Sequence, residues 1–180
     1  MKVYSFYANT YRYQYFLPKS LDDEAVLVTN CTSRSADWQP PALELKEPTH
    51  VVGDFFELHK GSPILSARAV DRLRPFLEPA GELLPLPYGG ETFYLFNVVP
   101  CTDCLDADAA EWRMQYNKRM WPDKYVFTAA KFGPHHLFKI PQTCRAEVLV
   151  LDREDVHGFV EALAEHQLLG YTLDLLWCGG

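Results

Sequence analysis

The sequence predicts an α+β fold: one domain with a mixed, largely antiparallel sheet, a few helices and a C-terminal strand-helix-strand unit. Three observations predict it. Tyr11, Tyr13, Tyr15 and Leu17 alternate with Arg12, Gln14 and Phe16 at the period of two that a half-buried strand requires. Two apolar runs flank Gly89-Gly90, the signature of a hairpin turn. Residues 147–177 then read as a buried strand, a helix and an alternating strand. The 180 residues suit a single unit spanning 1–180, and a content of 48% hydrophobic and 14% aromatic residues supplies a real core. That composition argues against a disordered, collagen-like or coiled-coil chain.

The elements follow in order. Residues 1–15 hold five of the ten tyrosines, a rich aromatic edge that a covering loop would shield. Ala25 to Thr29 is a short strand candidate, and Ser33 to Pro48, with Pro40, Pro41 and Pro48, reads as an irregular surface excursion. Gly53 to Leu58 suggests a short helical turn. Ser66 is a fitting N-cap for a helix over 67–78, with Val70, Leu73 and Leu77 on one face and Pro75 placed to kink or shorten it. Leu83–Pro87 and Thr92–Val99 form the hairpin strands, and Pro85 and Pro87 confine the first to a sheet edge. Glu147 to Leu151 is the buried strand. Asp152 is expected to cap the next helix, with Glu154 and Asp155 at its positive end and Val156, Phe159, Val160 and Leu163 as its apolar stripe. Gly170 stops it, and Tyr171 to Trp177 return as a strand.

Charge and apolar runs narrow the function. With 17 basic and 24 acidic residues the net charge is −7, which argues against nucleic acid as the main partner. No apolar run approaches the length of a membrane span, and Met1 to Tyr7 lacks the pattern of a signal peptide, so a cytoplasmic protein is expected. Five cysteines at 31, 101, 104, 144 and 178 make no secreted disulfide framework. Charge is segmented along the chain. Asp103, Asp106, Asp108 and Glu111 form an acidic run; residues 112–131 then carry five cations against Asp123; residues 147–174 carry seven acids against Arg153. A solvated face accounts for each run, and a steering surface for a basic protein partner is the functional alternative.

Few residues suggest catalysis. Cys101-x-x-Cys104 has the spacing of a zinc or redox pair but lacks a second such pair, so structural cysteines are expected. His135-His136 and a distant Asp106 are the remaining materials for a small Cys/His/Asp enzyme or metal site. Nucleophile elbow, phosphate loop, dinucleotide fingerprint and H-E-x-x-H motifs are all missing. No cofactor is implied.

A longer pattern lies in the order of segments: Val52-Gly53-Asp54-Phe55; Pro63-Ile64-Leu65-Ser66 before a helix; Leu83-Leu84-Pro85-Leu86; Tyr94 to Val99; Asp103-Cys104-Leu105-Asp106; Leu137-Phe138-Lys139-Ile140; and Leu169-Gly170-Tyr171. This order, over about residues 50–175, resembles a family of bacterial immunity proteins encoded beside polymorphic toxins, first catalogued as a domain of unknown function and typified by a myxobacterial member. Met114–Trp121 is longer and more basic than the family pattern, and the first third follows it loosely. The resemblance implies a non-enzymatic protein that binds and neutralises a cognate toxin encoded next door. It supplies no catalytic residues. It casts Asp54 and Ser66 as caps or turn acceptors, and Asn97 and Asp106 as partners of backbone groups. The acidic residues Asp103, Asp106, Asp108, Glu111, Asp152, Glu154 and Asp155 are the expected partner-binding set. A scaffold for another bacterial protein is the rival binding role, and a homo-oligomer stays open.

Overall fold

The computed structural model describes residues 1–57, 61–153 and 156–179. Strand β1 (Lys2–Ala8) lies at the heart of the first sheet. On one side it pairs with β11 (Val148–Asp152) and on the other with β12 (Tyr171–Cys178); β10 (Leu137–Phe138) completes the order β10-β11-β1-β12. The predicted C-terminal unit is present, with α3 (Phe159–Glu165) crossing between β11 and β12. Because both strands are antiparallel to β1, they run parallel to each other without touching. The second sheet, β4 (Phe55–Glu57), β5 (Pro63–Leu65), β7 (Glu91–Val98) and β6 (Gly81–Tyr88), is likewise antiparallel in the order β4-β5-β7-β6.

Side-chain alternation explains how these sheets pack. Val148 and Val150 face a first apolar cluster, together with Phe6, Phe55, Leu65, Phe159 and Leu163. Leu149 and Leu151 face a second, with Val3, Cys104, Phe127 and Ile140. With both faces covered, β11 is apolar up to its last residue, as a doubly buried strand must be. The second sheet divides in the same way: Phe55 and Leu65 enter the first cluster, while Phe56, Ile64, Leu84 and Leu95 enter a third. That third cluster is closed by the antiparallel pair of β2 (Tyr15–Pro18) and β3 (Leu43–Lys46) and by the single turn α1 (Glu24–Leu27) that lies between them in the chain.

Helix α2 (Ala67–Leu77) starts as its sequence dictates. Ser66 Oγ accepts the Ala69 N–H at 3.1 Å, and Val70, Leu73 and Leu77 are buried. Pro75 sits on the exposed face in the last turns, where the carbonyl it leaves unpaired reaches water. The β6–β7 hairpin turns at Gly89 and Gly90, both at positive φ (60° and 87°). Edge strand β6 holds Pro85 and Pro87, and the Trp38 indole N–H donates to the Pro85 carbonyl at 2.9 Å.

Several expectations are corrected. The helical turn expected over Gly53–Leu58 is instead a strand at residues 55–57, β4, and Leu58 lies outside the described residues. Ala25–Thr29 is not a strand, since Glu24–Leu27 is helical. The proline-rich excursion contains β3, and the Tyr11–Leu17 alternation forms a strand only from Tyr15. Asp152 is no helix cap: it ends β11 opposite Lys2, and α3 begins after Gly158 with the Glu161 carboxylate accepting the Gly158 N–H at 3.0 Å. Val156 is exposed ahead of the helix. Among the described residues no helix is long and apolar enough to cross a membrane.

Candidate functional site

The basic stretch around Met114–Trp121 folds as a hairpin, β8 (Glu111–Gln115) and β9 (Lys118–Lys124). Its turn residues, Tyr116 and Asn117, both have positive φ (49° and 59°), as a two-residue hairpin turn with the right-handed strand twist demands. Two register slips leave Asp123 and Met120 without opposite partners, so the ribbon is bulged and strongly twisted. Among the described residues these two strands pair only with each other, and a lone two-stranded ribbon is marginal in water. Its base is therefore anchored. Trp112 donates its indole N–H to the Ala107 carbonyl at 2.9 Å and leans on the second cluster. Just past β9, the Tyr125 hydroxyl donates to Glu147 Oε2 at 2.9 Å, and Ser5 Oγ donates to Glu147 Oε1 at 2.6 Å, which ties the ribbon's foot to β1. Burial, reinforced by the Glu147 charge, holds the Tyr125 phenol protonated far above its ordinary range.

Beyond that base the ribbon exposes apolar mass. Tyr116 is 89% exposed, Met114 56% and Met120 48%. Arg113, Lys118, Arg119 and Lys124 surround them, with Arg119 stacked 5.4 Å over the Trp112 ring. Tyrosine, tryptophan, methionine and arginine are the residues enriched where proteins meet.

The predicted acidic residues are placed in three ways. Asp108 and Glu111 pair with the ribbon's cations: Lys124–Glu111 at 2.9 Å and Arg113–Asp123 at 2.7 Å lie within the ribbon, and Arg119–Asp108 at 3.9 Å reaches the turn before it. The acidic and basic runs thus partly neutralise one another. Asp106 Oδ1 accepts the N–H groups of Asp108 and Ala109, the backbone role expected of it, and Asp103 accepts from Gln142. Asp152 is buried, offering only 7% of its surface. Glu154 and Asp155 lie outside the described residues. The structure brings Asp103, Asp106, Asp108 and Glu111 into one neighbourhood and sets Asp152 apart, inside the sheet.

The framework residues behave as caps and turn acceptors. Asp54 accepts Ser66 Oγ at 2.9 Å, Arg68 Nη1 at 2.8 Å and the Leu169 N–H at 2.9 Å. Asn97 Nδ2 donates to the Thr32 carbonyl and to Glu82, each at 2.8 Å.

Cys104 is fully buried and Cys101 exposed, so the two thiols of the C-x-x-C do not share a face. Burial pushes Cys104 up to about 12. His136 stacks edge-on against Phe76 at 5.3 Å, and burial lowers its basicity. Among the described residues no three His, Cys, Asp or Glu side chains gather to hold a metal ion. The tyrosine-rich N-terminal edge lines two adjoining hollows of about 320 and 430 Å³, which share Thr10, Tyr11 and Glu57.

The chain is an α+β protein in which a basic, aromatic ribbon stands out from the packed sheets. No protein-family model matches it, and no curated protein matches it in sequence.

Proposed function

We propose that this chain is a non-enzymatic immunity protein that binds and neutralises a cognate bacterial toxin, with the β8–β9 ribbon as its principal contact. The observation that carries the reading is the exposure of Met114, Tyr116 and Met120 among Arg113, Lys118 and Arg119 on a ribbon whose two strands pair with no other strand among the described residues. Such a surface suits an acidic, partly apolar cleft, where the cations steer the approach and the aromatic and thioether side chains fill the pocket. Docked in a catalytic cleft, a projecting ribbon blocks substrate without chemistry of its own. Asp108, its side chain 99% exposed beside Arg119, extends this surface and adds an acidic contact at its flank. The order of segments over residues 50–175 that resembles the immunity family is what supports a toxin as the partner.

A scaffold protein binding another bacterial partner would use the same ribbon, and gene neighbourhood separates the two. The test is co-expression with the product of the adjacent open reading frame, scored by growth and co-purification. The reading expects a toxic neighbour, rescue, and a stable complex. The triple variant Met114→Ala, Tyr116→Ala, Met120→Ala should keep its melting temperature yet bind at least tenfold more weakly, a loss of about 1.4 kcal/mol or more. A harmless neighbour that does not bind overturns the immunity role. Undiminished binding by the triple variant overturns the ribbon as the contact.

A further inference from the structure

Strand β12 ends the first sheet and, among the described residues, has a partner strand on one side only, β1. Two hydrogen bonds at the ends of that pairing fix which backbone groups face the open side: Asn9 N–H to the Gly170 carbonyl at 2.9 Å, and Gly179 N–H to the Met1 carbonyl at 3.2 Å. Hydrogen-bonded pairs alternate along an antiparallel ladder. With Tyr7 opposite Thr172 and Ser5 opposite Asp174, the residues Thr172 and Asp174 therefore turn their N–H and C=O groups toward β1. Tyr171, Leu173 and Leu175 turn theirs outward, where no other part of the described chain receives them. The remaining edges of the two large sheets are blunted. Strand β10 has two residues and β4 three, while β6 carries Pro85 and Pro87 and is capped by the Trp38 indole. Strand β12 is eight residues long, has neither proline nor lysine, and holds Asp174 as its only charge.

We infer that this edge pairs with β12 of a second copy of the chain, antiparallel across a two-fold axis at Leu173, so that the first sheet continues from one copy into the other. In this register Leu173 faces its own equivalent, Tyr171 lies opposite Leu175 of the second copy, and Thr172 lies opposite Asp174. The strand is its own complement in backbone, apolar surface and charge. The outward residues are symmetric about Leu173, so each outward N–H meets an outward carbonyl. Tyr171, Leu173 and Leu175 share the face of the first apolar cluster; Tyr171 and Leu173 pack on it, whereas Leu175 is 55% exposed. Pairing lays Tyr171 of each copy against Leu175 of the other. A register centred on Asp174 would set two carboxylates directly opposite, while the one centred on Leu173 sets each against a threonine hydroxyl. A foreign strand would have to bring this complement; a second copy carries it, in the isologous manner of a two-fold dimer.

The association has a salt dependence of its own. Each copy carries a net charge of −7, so two copies repel at long range, and the contact between them is made of backbone groups and apolar side chains. Added salt screens the repulsion and tightens the dimer. The proposed toxin contact, in which the ribbon's cations meet an acidic cleft, weakens with salt instead. Neither β8 nor β9 pairs with β12, so the dimer stands or falls independently of the toxin reading.

The test is analytical ultracentrifugation of the full-length protein over a range of protein and salt concentrations, with amide hydrogen exchange measured at both ends of the protein range. The expected result is a monomer–dimer equilibrium that tightens with salt, with the Leu173 and Leu175 amides protected only in the dimer. Leu175→Lys alters a side chain already in water, and should keep the wild-type circular dichroism spectrum yet stay monomeric. Thr172→Lys should tighten the dimer and Thr172→Asp weaken it, each by roughly 2- to 30-fold, because the two-fold axis makes the pair with Asp174 twice. The ribbon variant lacking Met114, Tyr116 and Met120 should dimerise as the wild type does. A chain that stays monomeric at every concentration overturns the proposal, and if Leu175→Lys then weakens the toxin complex, the edge serves a strand of that partner instead. A dimer whose Leu173 and Leu175 amides exchange as fast as in the monomer also overturns it. Thr172 variants that shift the equilibrium in the same direction overturn the register.

Discussion

Removing Asp54 probes the joint on which both sheets depend. Its carboxylate, only 7% exposed, receives Ser66 Oγ, Arg68 Nη1 and the Leu169 backbone N–H at 2.8–2.9 Å, so it ties β4 to the start of α2 and to the loop after α3. Each hydrogen bond to a charged group contributes about 1.5–3 kcal/mol, and removing one partner of a buried charged set typically costs about 3–5 kcal/mol. The three bonds share one carboxylate and are not additive, so Asp54→Ala should lose about 3–5 kcal/mol. For a chain of this size that corresponds to a drop of roughly 6–20 °C in melting temperature. Arg68 is 52% exposed, and Arg68→Met alone should cost about 1 kcal/mol. The double variant should then lose less than the sum of the singles, since the two share the Asp54–Arg68 ion pair, while Arg68 Nη2 also donates to the His166 carbonyl at 2.9 Å. Urea unfolding of the four proteins measures the cycle. A loss below 1 kcal/mol for Asp54→Ala, or strict additivity with Arg68→Met, would refute the reasoning.

Glu82 and Gly81, neighbours at the start of β6, give two further predictions. Burial favours the neutral Glu82, yet hydrogen bonds from Ser33, the Arg34 N–H, Ser35 and Asn97 outweigh it and hold the carboxyl at about 2, below its ordinary 4.5. A depressed carboxylate contributes stability above about pH 4.5 and loses it as pH falls towards 2, so Glu82→Gln should be less stable than wild type at pH 7 and equal to it near pH 2. A gap that stays constant from pH 7 to 2, followed by urea midpoints, would contradict this. At Gly81 the backbone is extended, but an added Cβ would sit 2.1 Å from the Asn97 carbonyl oxygen, while at Gly89, with φ of 60°, it would meet nothing within 4 Å. Gly81→Ala should therefore cost about 3 kcal/mol by overpacking and Gly89→Ala about 1 by backbone strain; equal melting losses would argue against that distinction.

What the sequence makes legible is local. Helix α2, the Gly89-Gly90 hairpin and the strand-helix-strand close each carry their signal within a few residues: the Ser66 cap, two glycines in succession, a full apolar run before the Phe159–Leu163 stripe. Short elements defined by tertiary packing are not legible. Strand β4 has both faces covered, so Phe55 and Phe56 stand side by side without alternation, and α1 is a single turn held by Leu27 in the third cluster. The β8–β9 ribbon is concealed twice, by a Tyr116-Asn117 turn in place of Asn-Gly and by register slips that break the period of two. Its basic composition was visible; its shape was not. The charge runs were equally plain, but linear order does not say that Lys124 meets Glu111. Cys101 attracts notice for Cys104, three residues away, whereas its bridge partner is Lys139, which no spacing rule could nominate.

The central place of β1 sets the order in which the molecule can be completed. Ser5 bonds to a residue 142 positions later, and both neighbours of β1 belong to the last part of the chain. At synthesis rates of about 5–20 residues per second, those partners follow by roughly 7–30 seconds. Until then β1 has two unpaired edges, whereas α2 and the β6–β7 hairpin, built from local contacts, can form as they leave the ribosome. The second sheet is thus assembled before the first, which closes around a strand made well ahead of both its neighbours.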